Sequence, residues 1–126
     1  MSRSGRPSQR AKRKLGTPED PRFLATVELI RRTGARQFQI RYSDDEDPIV
    51  WMAIAGFGGN WEAAGAMTPL LAVWRLAETL IDGGMCRHCA RPAGISNDWT
   101  GEMPMNHLIC WYIYDPELNT YRRSCE

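Results

Sequence analysis

The chain has 126 residues, 43% of them hydrophobic, which suits one domain with a tail rather than two full domains. No run of about 18 apolar residues occurs and no apolar stretch follows the charged N-terminus, so we expect neither a transmembrane helix nor a secretory signal. The net charge of +1 hides an asymmetry, because six of the 16 basic residues but none of the 15 acidic residues precede residue 19. The remainder is therefore mildly acidic, unlike a domain whose whole surface is built for DNA.

Residues 1–17 are rich in Arg, Ser, Gly, Pro and Lys, and this composition predicts a disordered basic arm. Its basic side chains could neutralise nucleic-acid phosphates with salt-dependent, sequence-independent affinity. They are Arg3, Arg6, Arg10, Lys12, Arg13 and Lys14. The alternative is a tail that only improves solubility. A single α+β domain is predicted for residues 18–126.

The domain is predicted to begin with a helix that Thr17 caps and Gly34 ends. Its inward face would carry Phe23, Val27 and Ile30, which follow helical spacing. Residues 37–42 alternate between polar and apolar side chains, which is typical of a half-buried strand, and residues 49–54 form an apolar run typical of a buried one. Together they predict a hairpin, whose acidic turn at 44–47 we interpret as solvated rather than as a cation site.

Residues 55–60 are glycine-rich and predict a turn, because they lack the Lys-Ser/Thr of a phosphate-binding loop. A short helical piece is predicted at 61–66. The main core helix is then expected from Thr68 and Pro69 to the stop at Gly83 and Gly84. Its apolar stripe consists of Leu70, Trp74, Ala77 and Ile81, with Leu71, Val73 and Leu80 beside it.

After this helix the sequence predicts a polar stretch at 91–104 and strands at 109–114 and 121–125, joined by a turn. The predicted fold class is α+β, with a helix–β-hairpin–helix core followed by a C-terminal β-hairpin tied by zinc. Residues 85–126 would form the zinc-binding subdomain, because they contain few core-forming residues and a hairpin alone is marginally stable.

The four cysteines are Cys86, Cys89, Cys110 and Cys125. Without a secretion signal they predict a reducing compartment, where such thiols more often hold metal than form disulfides. The expected cofactor is a structural Zn²⁺ bound by all four thiolates. One alternative ligand set replaces Cys125 with His107, and another interpretation has no metal. His88, inside the first Cys-x-x-Cys turn, is expected to point outward.

The register of the last hairpin bears on the second pair of ligands. If Asp115 and Thr120 close its turn, paired residue numbers sum to 235, and Cys110 lies opposite Cys125. Directly opposite side chains point to the same side of the ladder with Cβ atoms about 5 Å apart. The hairpin could therefore deliver both thiolates to one point.

Two segments, MCRHCARP at 85–92 and CWYIYDPELNTYRRSCE at 110–126, carry a resemblance. They resemble small uncharacterised proteins encoded by phages of actinobacteria, over about the last forty residues. The resemblance implies the same four-cysteine arrangement and a protein that acts inside a bacterial cell. It implies no enzymatic activity.

From these features we expect a cytoplasmic, zinc-stabilised binding module that interacts with a host protein. The first alternative is a nucleic-acid-binding accessory protein that uses the basic arm, and a small enzyme is the least favoured, since no catalytic constellation stands out. A possible interaction surface lies on the last hairpin, where aromatic and basic side chains cluster. Its members are Tyr112, Tyr114, Tyr121, Arg122 and Arg123.

Overall fold

The structure is a computed structural model that describes residues 20–43 and 50–126. The predicted arm at 1–17 and the acidic turn at 44–47 lie outside these residues. The α+β class is confirmed. The described elements, in chain order, are α1 (Pro21–Arg32), β1 (Gln37–Ser43), β2 (Val50–Gly56), β3 (Trp61–Ala66), α2 (Pro69–Ile81), β4 (Ala93–Ile95), β5 (Cys110–Asp115) and β6 (Thr120–Arg123).

Helix α1 begins at an Asp20 cap, whose carboxylate accepts a hydrogen bond of 2.8 Å from the backbone N–H of Arg22. The Arg22 side chain also pairs with this carboxylate at 2.8 Å, and these bonds lower the pKa of Asp20. Thr17, the predicted cap, lies outside the described residues. The predicted inward face is confirmed, since Phe23, Val27 and Ile30 are all buried.

The first sheet is a three-stranded antiparallel meander in the order β1-β2-β3. The helical piece predicted at 61–66 is wrong, because this segment is strand β3. A tight turn in which the Phe57 N–H donates to the Asn60 carbonyl at 2.9 Å returns the chain alongside β2. Pairing with β2 and burial of Ala66 against the core override the helix preference of an alanine-rich segment.

The two faces of this sheet have different surroundings. The inner face packs against both helices through Phe38, Ile40, Ala53, Ala55 and Ala64. The outer face carries the alternate residues of the same strands. None of those belongs to the core cluster of the described residues.

Helix α2 begins and ends where the sequence predicts. The Thr68 hydroxyl accepts a 3.1 Å hydrogen bond from the Leu71 N–H, and Pro69 occupies the first turn. Leu70, Ala77 and Ile81 are buried as expected, and Trp74 is partly buried against the same core, whereas Leu71 is exposed. No helix among the described residues is long and apolar enough to cross a membrane.

The second sheet has the order β4-β5-β6, with β4 parallel to β5 and β6 antiparallel to it. Strand β4 lies within the stretch predicted to be polar, and it forms because Ala93–Ile95 pairs with Cys110–Tyr112 across a long connection. Such a pairing depends on tertiary structure and has no local sequence signal.

The second sheet docks on α1 through Tyr121, which is 2% exposed. Its hydroxyl lies 3.0 Å from the Thr26 hydroxyl, and its backbone carbonyl accepts a 3.1 Å bond from the Arg32 guanidinium. The rings of Trp99, Tyr114 and Tyr121 pack edge to face, with centroids 5.7 to 6.5 Å apart. These contacts extend the helical core into the C-terminal third of the chain.

The predicted interaction surface on the last hairpin is wrong for two of its members. Tyr114 and Tyr121 both belong to the core cluster, because they pair directly across the ladder and their side chains therefore lie on the same side of the hairpin. Tyr112 is half-buried, Arg122 is exposed, and Arg123 forms a 3.0 Å ion pair with Glu126.

Removing one hydroxyl tests the docking of the second sheet. The Thr26 hydroxyl donates to the Arg22 carbonyl at 2.7 Å, so Tyr121 is the donor of their shared bond. We expect Tyr121→Phe to lower the free energy of unfolding by about 1 kcal/mol. The measurement is urea denaturation, with Tyr112→Phe as the matched control, for which little change is expected. Equal losses in both variants would contradict this role for the buried bond.

Candidate metal centre

The four cysteine thiols converge at one point next to the end of the second sheet. All four Sγ atoms lie within 4.8 Å of one another, with 3.5 Å between Cys110 and Cys125 and 3.7 Å between Cys86 and Cys125. All four are free thiols, with no disulfide among them. The cluster combines two thiols from a Cys-x-x-Cys turn with two from the last hairpin.

These distances fit a tetrahedral metal ion. A metal–sulfur bond of about 2.3 Å places the ligand atoms of a tetrahedron about 3.8 Å apart. The observed separations are close to that value, whereas bonded disulfide sulfurs lie about 2.05 Å apart. The four cysteines therefore fit a metal such as zinc, because tetrahedral sites made of soft thiolate ligands favour that ion.

The Cys-x-x-Cys turn forms the tip of a small hairpin. The Cys86 N–H donates to the Arg91 carbonyl at 2.8 Å, and the Ala93 N–H donates to the Gly84 carbonyl at 2.9 Å. At the tip, the Ala90 N–H donates to the Cys86 carbonyl at 2.8 Å, which folds the chain back. Ala90 takes a left-handed backbone conformation with φ of 62°, which costs energy in any residue with a Cβ.

The last hairpin supplies the second pair in the predicted register. Asp115 pairs with Thr120 and Tyr112 pairs with Arg123, so the paired numbers sum to 235. Beyond the ladder, the Ser124 N–H donates to the Trp111 carbonyl at 2.8 Å and the Ser124 hydroxyl accepts from the Trp111 N–H at 3.0 Å. These bonds hold the chain end alongside β5, so Cys125 reaches Cys110.

Strand β4 joins the two halves of the site. It follows the Cys-x-x-Cys hairpin directly, and Ala93 pairs with Cys110 in the parallel ladder. The Cys110 N–H also donates to the Pro92 carbonyl at 2.8 Å. The backbone thus sets the distance between the first and second pairs of thiols.

The electrostatics of the cluster favour a cation. Backbone N–H groups of Cys89 and His88 donate to the Cys86 sulfur and lower the pKa of that thiol to about 6. Desolvation, together with the nearby sulfurs of the other cysteines, raises the pKa of Cys125 to about 12. Burial raises the pKa of Cys110. Four thiolates in this space repel one another unless a positive charge lies among them.

Neither histidine belongs to the group of possible metal ligands in the described residues. His107, the alternative ligand, is exposed and lies outside the group of possible ligands in the described residues, and its backbone carbonyl accepts a 3.0 Å bond from Arg91. His88 is exposed, but its Nδ1 lies 3.7 Å from the Cys125 sulfur rather than pointing away from the thiols. His88 and Cys125 are 37 residues apart in the sequence and meet only in the folded chain, so sequence spacing could not reveal this contact.

Comparison of the chain with protein-family models, curated proteins and solved structures finds no match. The resemblance to phage proteins stays an expectation from the sequence. Functional conclusions therefore rest on the geometry and chemistry of the chain's own residues.

The strained turn at Ala90 gives a test of the site's construction. We expect Ala90→Gly to stabilise the metal-loaded protein by about 0.5–1 kcal/mol, because glycine adopts positive φ without a Cβ clash. Ala93→Gly in strand β4 is the matched control and should destabilise by a similar amount. The measurement is the midpoint of urea denaturation with metal present. A loss of stability in both variants would contradict the strained turn.

Proposed function

We propose that the chain is a zinc-stabilised binding module and that its four cysteines hold one structural Zn²⁺. The observation that carries this proposal is the convergence of the four Sγ atoms within 4.8 Å of one another. Cys86, Cys89, Cys110 and Cys125 are the ligands. Zinc suits four thiolates because it is borderline-soft, tetrahedral and redox-inactive.

The ligand set supports a structural rather than a catalytic role. Catalytic zinc sites keep one position open for water or substrate, and four protein thiolates fill a tetrahedron. The site connects three segments of the chain, since the Cys-x-x-Cys turn, β4 and the last hairpin all meet at the thiols. Because the site would form only in the folded chain, metal affinity adds to the free energy of folding.

The stabilised region is the one that packs against α1 through Tyr121. We therefore infer that the metal stabilises the fold of the whole domain, and that the exposed surfaces of the domain bind the partner. A host protein is the partner that the phage resemblance supports, with action inside a bacterial cell. On the last hairpin, only Tyr112, Arg122 and Arg123 of the predicted surface are accessible to such a partner.

Metal content tests the zinc proposal directly. We expect about one zinc per purified chain by elemental analysis. Cys110→Ser should weaken zinc binding by more than the 10–100-fold that is lost when a residue hydrogen-bonded to a ligand is changed, because it removes a ligand itself. His107→Ala is the control and should keep the parent's zinc content. A reduced, folded parent without bound metal would refute the proposal, and zinc loss in His107→Ala would show a different ligand set.

Removal of the metal tests its structural role. After chelation we expect amides of β5 and β6 to lose protection from hydrogen exchange, because Cys110 and Cys125 lie two residues beyond the last pair of their ladder. The protection should return when zinc is restored to the full-length chain. Unchanged protection throughout β5 and β6 in the metal-free protein would contradict a structural metal.

A further inference from the structure

The outer face of the first sheet is an apolar platform that the described core leaves uncovered. Val50, Met52 and Ile54 are half-buried there, and Trp61 is 56% exposed. None of these four side chains packs against the core cluster that covers the inner face. A three-stranded sheet with one buried face and one apolar outer face presents a binding surface of defined shape.

Two glycines make this platform flat around its tryptophan. The cross-strand register aligns Gln37, Gly56 and Trp61 in one row and Arg41, Met52 and Gly65 in another. A Cβ at Gly56 would lie only 2.8 Å from Cζ3 of Trp61, so the indole lies flat over that glycine. One side of the ring therefore covers backbone, and the exposed fraction leaves the other side available for stacking.

The charges on the part of the platform that the structure describes are positive. Arg41 is the only charged residue on the outer face of the described strands, which carry no carboxylate there. Arg36 lies at the Trp61 end, because a Cβ at Gly58 in the β2–β3 turn would be 3.4 Å from its Nη1. Both arginines are exposed. Gln37 and Gln39 add exposed amides to the same face as Arg41.

The size of the platform argues against a second copy of the chain as its occupant. Strands of seven residues at about 3.4 Å per residue and 4.8 Å apart give a face of roughly 24 by 14 Å, on the order of 350 Å². A stable protein interface needs about 800 Å² on each partner. The face is large enough for a few nucleotides, whose bases stack on aromatic rings and whose phosphates attract arginine.

We propose that this outer face binds single-stranded nucleic acid, with a base stacked on Trp61 and phosphates contacted by Arg36 and Arg41. The inference goes beyond the host-protein partner proposed above, because it assigns a different surface of the domain to a different class of ligand. Duplexes are poor ligands for it, because their bases are already stacked on one another. The metal centre contributes no residue to the face, so zinc content remains a separate test.

The test is fluorescence anisotropy with the full-length, zinc-loaded chain and short labelled oligodeoxythymidylate, its RNA counterpart and a DNA duplex. We expect single strands to bind more tightly than the duplex. Trp61→Ala should weaken single-strand binding on the order of tenfold, and Trp61→Phe should restore most of it because phenylalanine still stacks. Arg41→Gln should weaken binding and reduce its salt dependence.

Controls separate the face from the basic arm. Arg31→Gln, an exposed arginine on α1, and Leu118→Ala, an exposed apolar residue at the β5–β6 turn, should bind like the parent. At about 200 mM salt the arm's phosphate contacts weaken strongly, whereas stacking persists, so the Trp61 effect should remain. Circular dichroism and zinc content verify that each variant is folded.

Three results would overturn the inference. The first is a folded, zinc-loaded parent that binds no single strand at low salt. The second is unchanged affinity in both Trp61→Ala and Arg41→Gln, which assigns any binding to the arm. The third is a parent that sediments as a dimer, becomes monomeric on Trp61→Ala and binds no oligonucleotide, which assigns the face to a second copy.

Discussion

The meeting of Cys110 and Cys125 at the end of one hairpin is the constraint on which the C-terminal third depends. Their sulfurs lie 3.5 Å apart, and the Cys-x-x-Cys turn brings two more thiols to the same point. Four neighbouring groups that can each become negative are unfavourable together without a cation. A bound metal ion would replace that repulsion with attraction and would connect the hairpin, strand β4 and the turn that follows α2.

Strand β6 connects this joint to the rest of the domain. Tyr121 lies near its start and is held by Thr26 and Arg32 of α1, while Cys125 follows its end by two residues. A shift of one residue in the β5–β6 register would turn Tyr121 away from α1 and separate the two sulfurs at once. Core packing and the convergence of the thiols therefore require the same register.

The parts of the fold that the sequence predicts are those with local causes. Thr68 and Pro69 begin α2, and the turn closed by Asp115 and Thr120 sets the hairpin register, so both were predictable. Strand β4 has no local signal, because it forms by pairing with β5 across a long connection. Strand β3 follows β2 through a tight turn, but its alanine-rich sequence favours a helix, and only pairing with β2 and burial against the core make it a strand. The burial of Tyr114 and Tyr121 likewise depends on where α1 packs, which no spacing within the hairpin reveals.

The distribution of charge is compatible with the nucleic-acid surface that we propose on a mildly acidic domain. Beyond residue 18 the chain has ten basic and fifteen acidic residues, so its average charge repels phosphate. Within the first sheet, however, Glu62 lies on the inner-face row with Ala55, and Arg41 is the only charged residue on the outer face of the strands that the structure describes. Local contacts decide binding once screening shortens electrostatic interactions to about 8 Å at physiological salt. A ligand that reaches Trp61 therefore responds mainly to Arg36 and Arg41 rather than to the net charge.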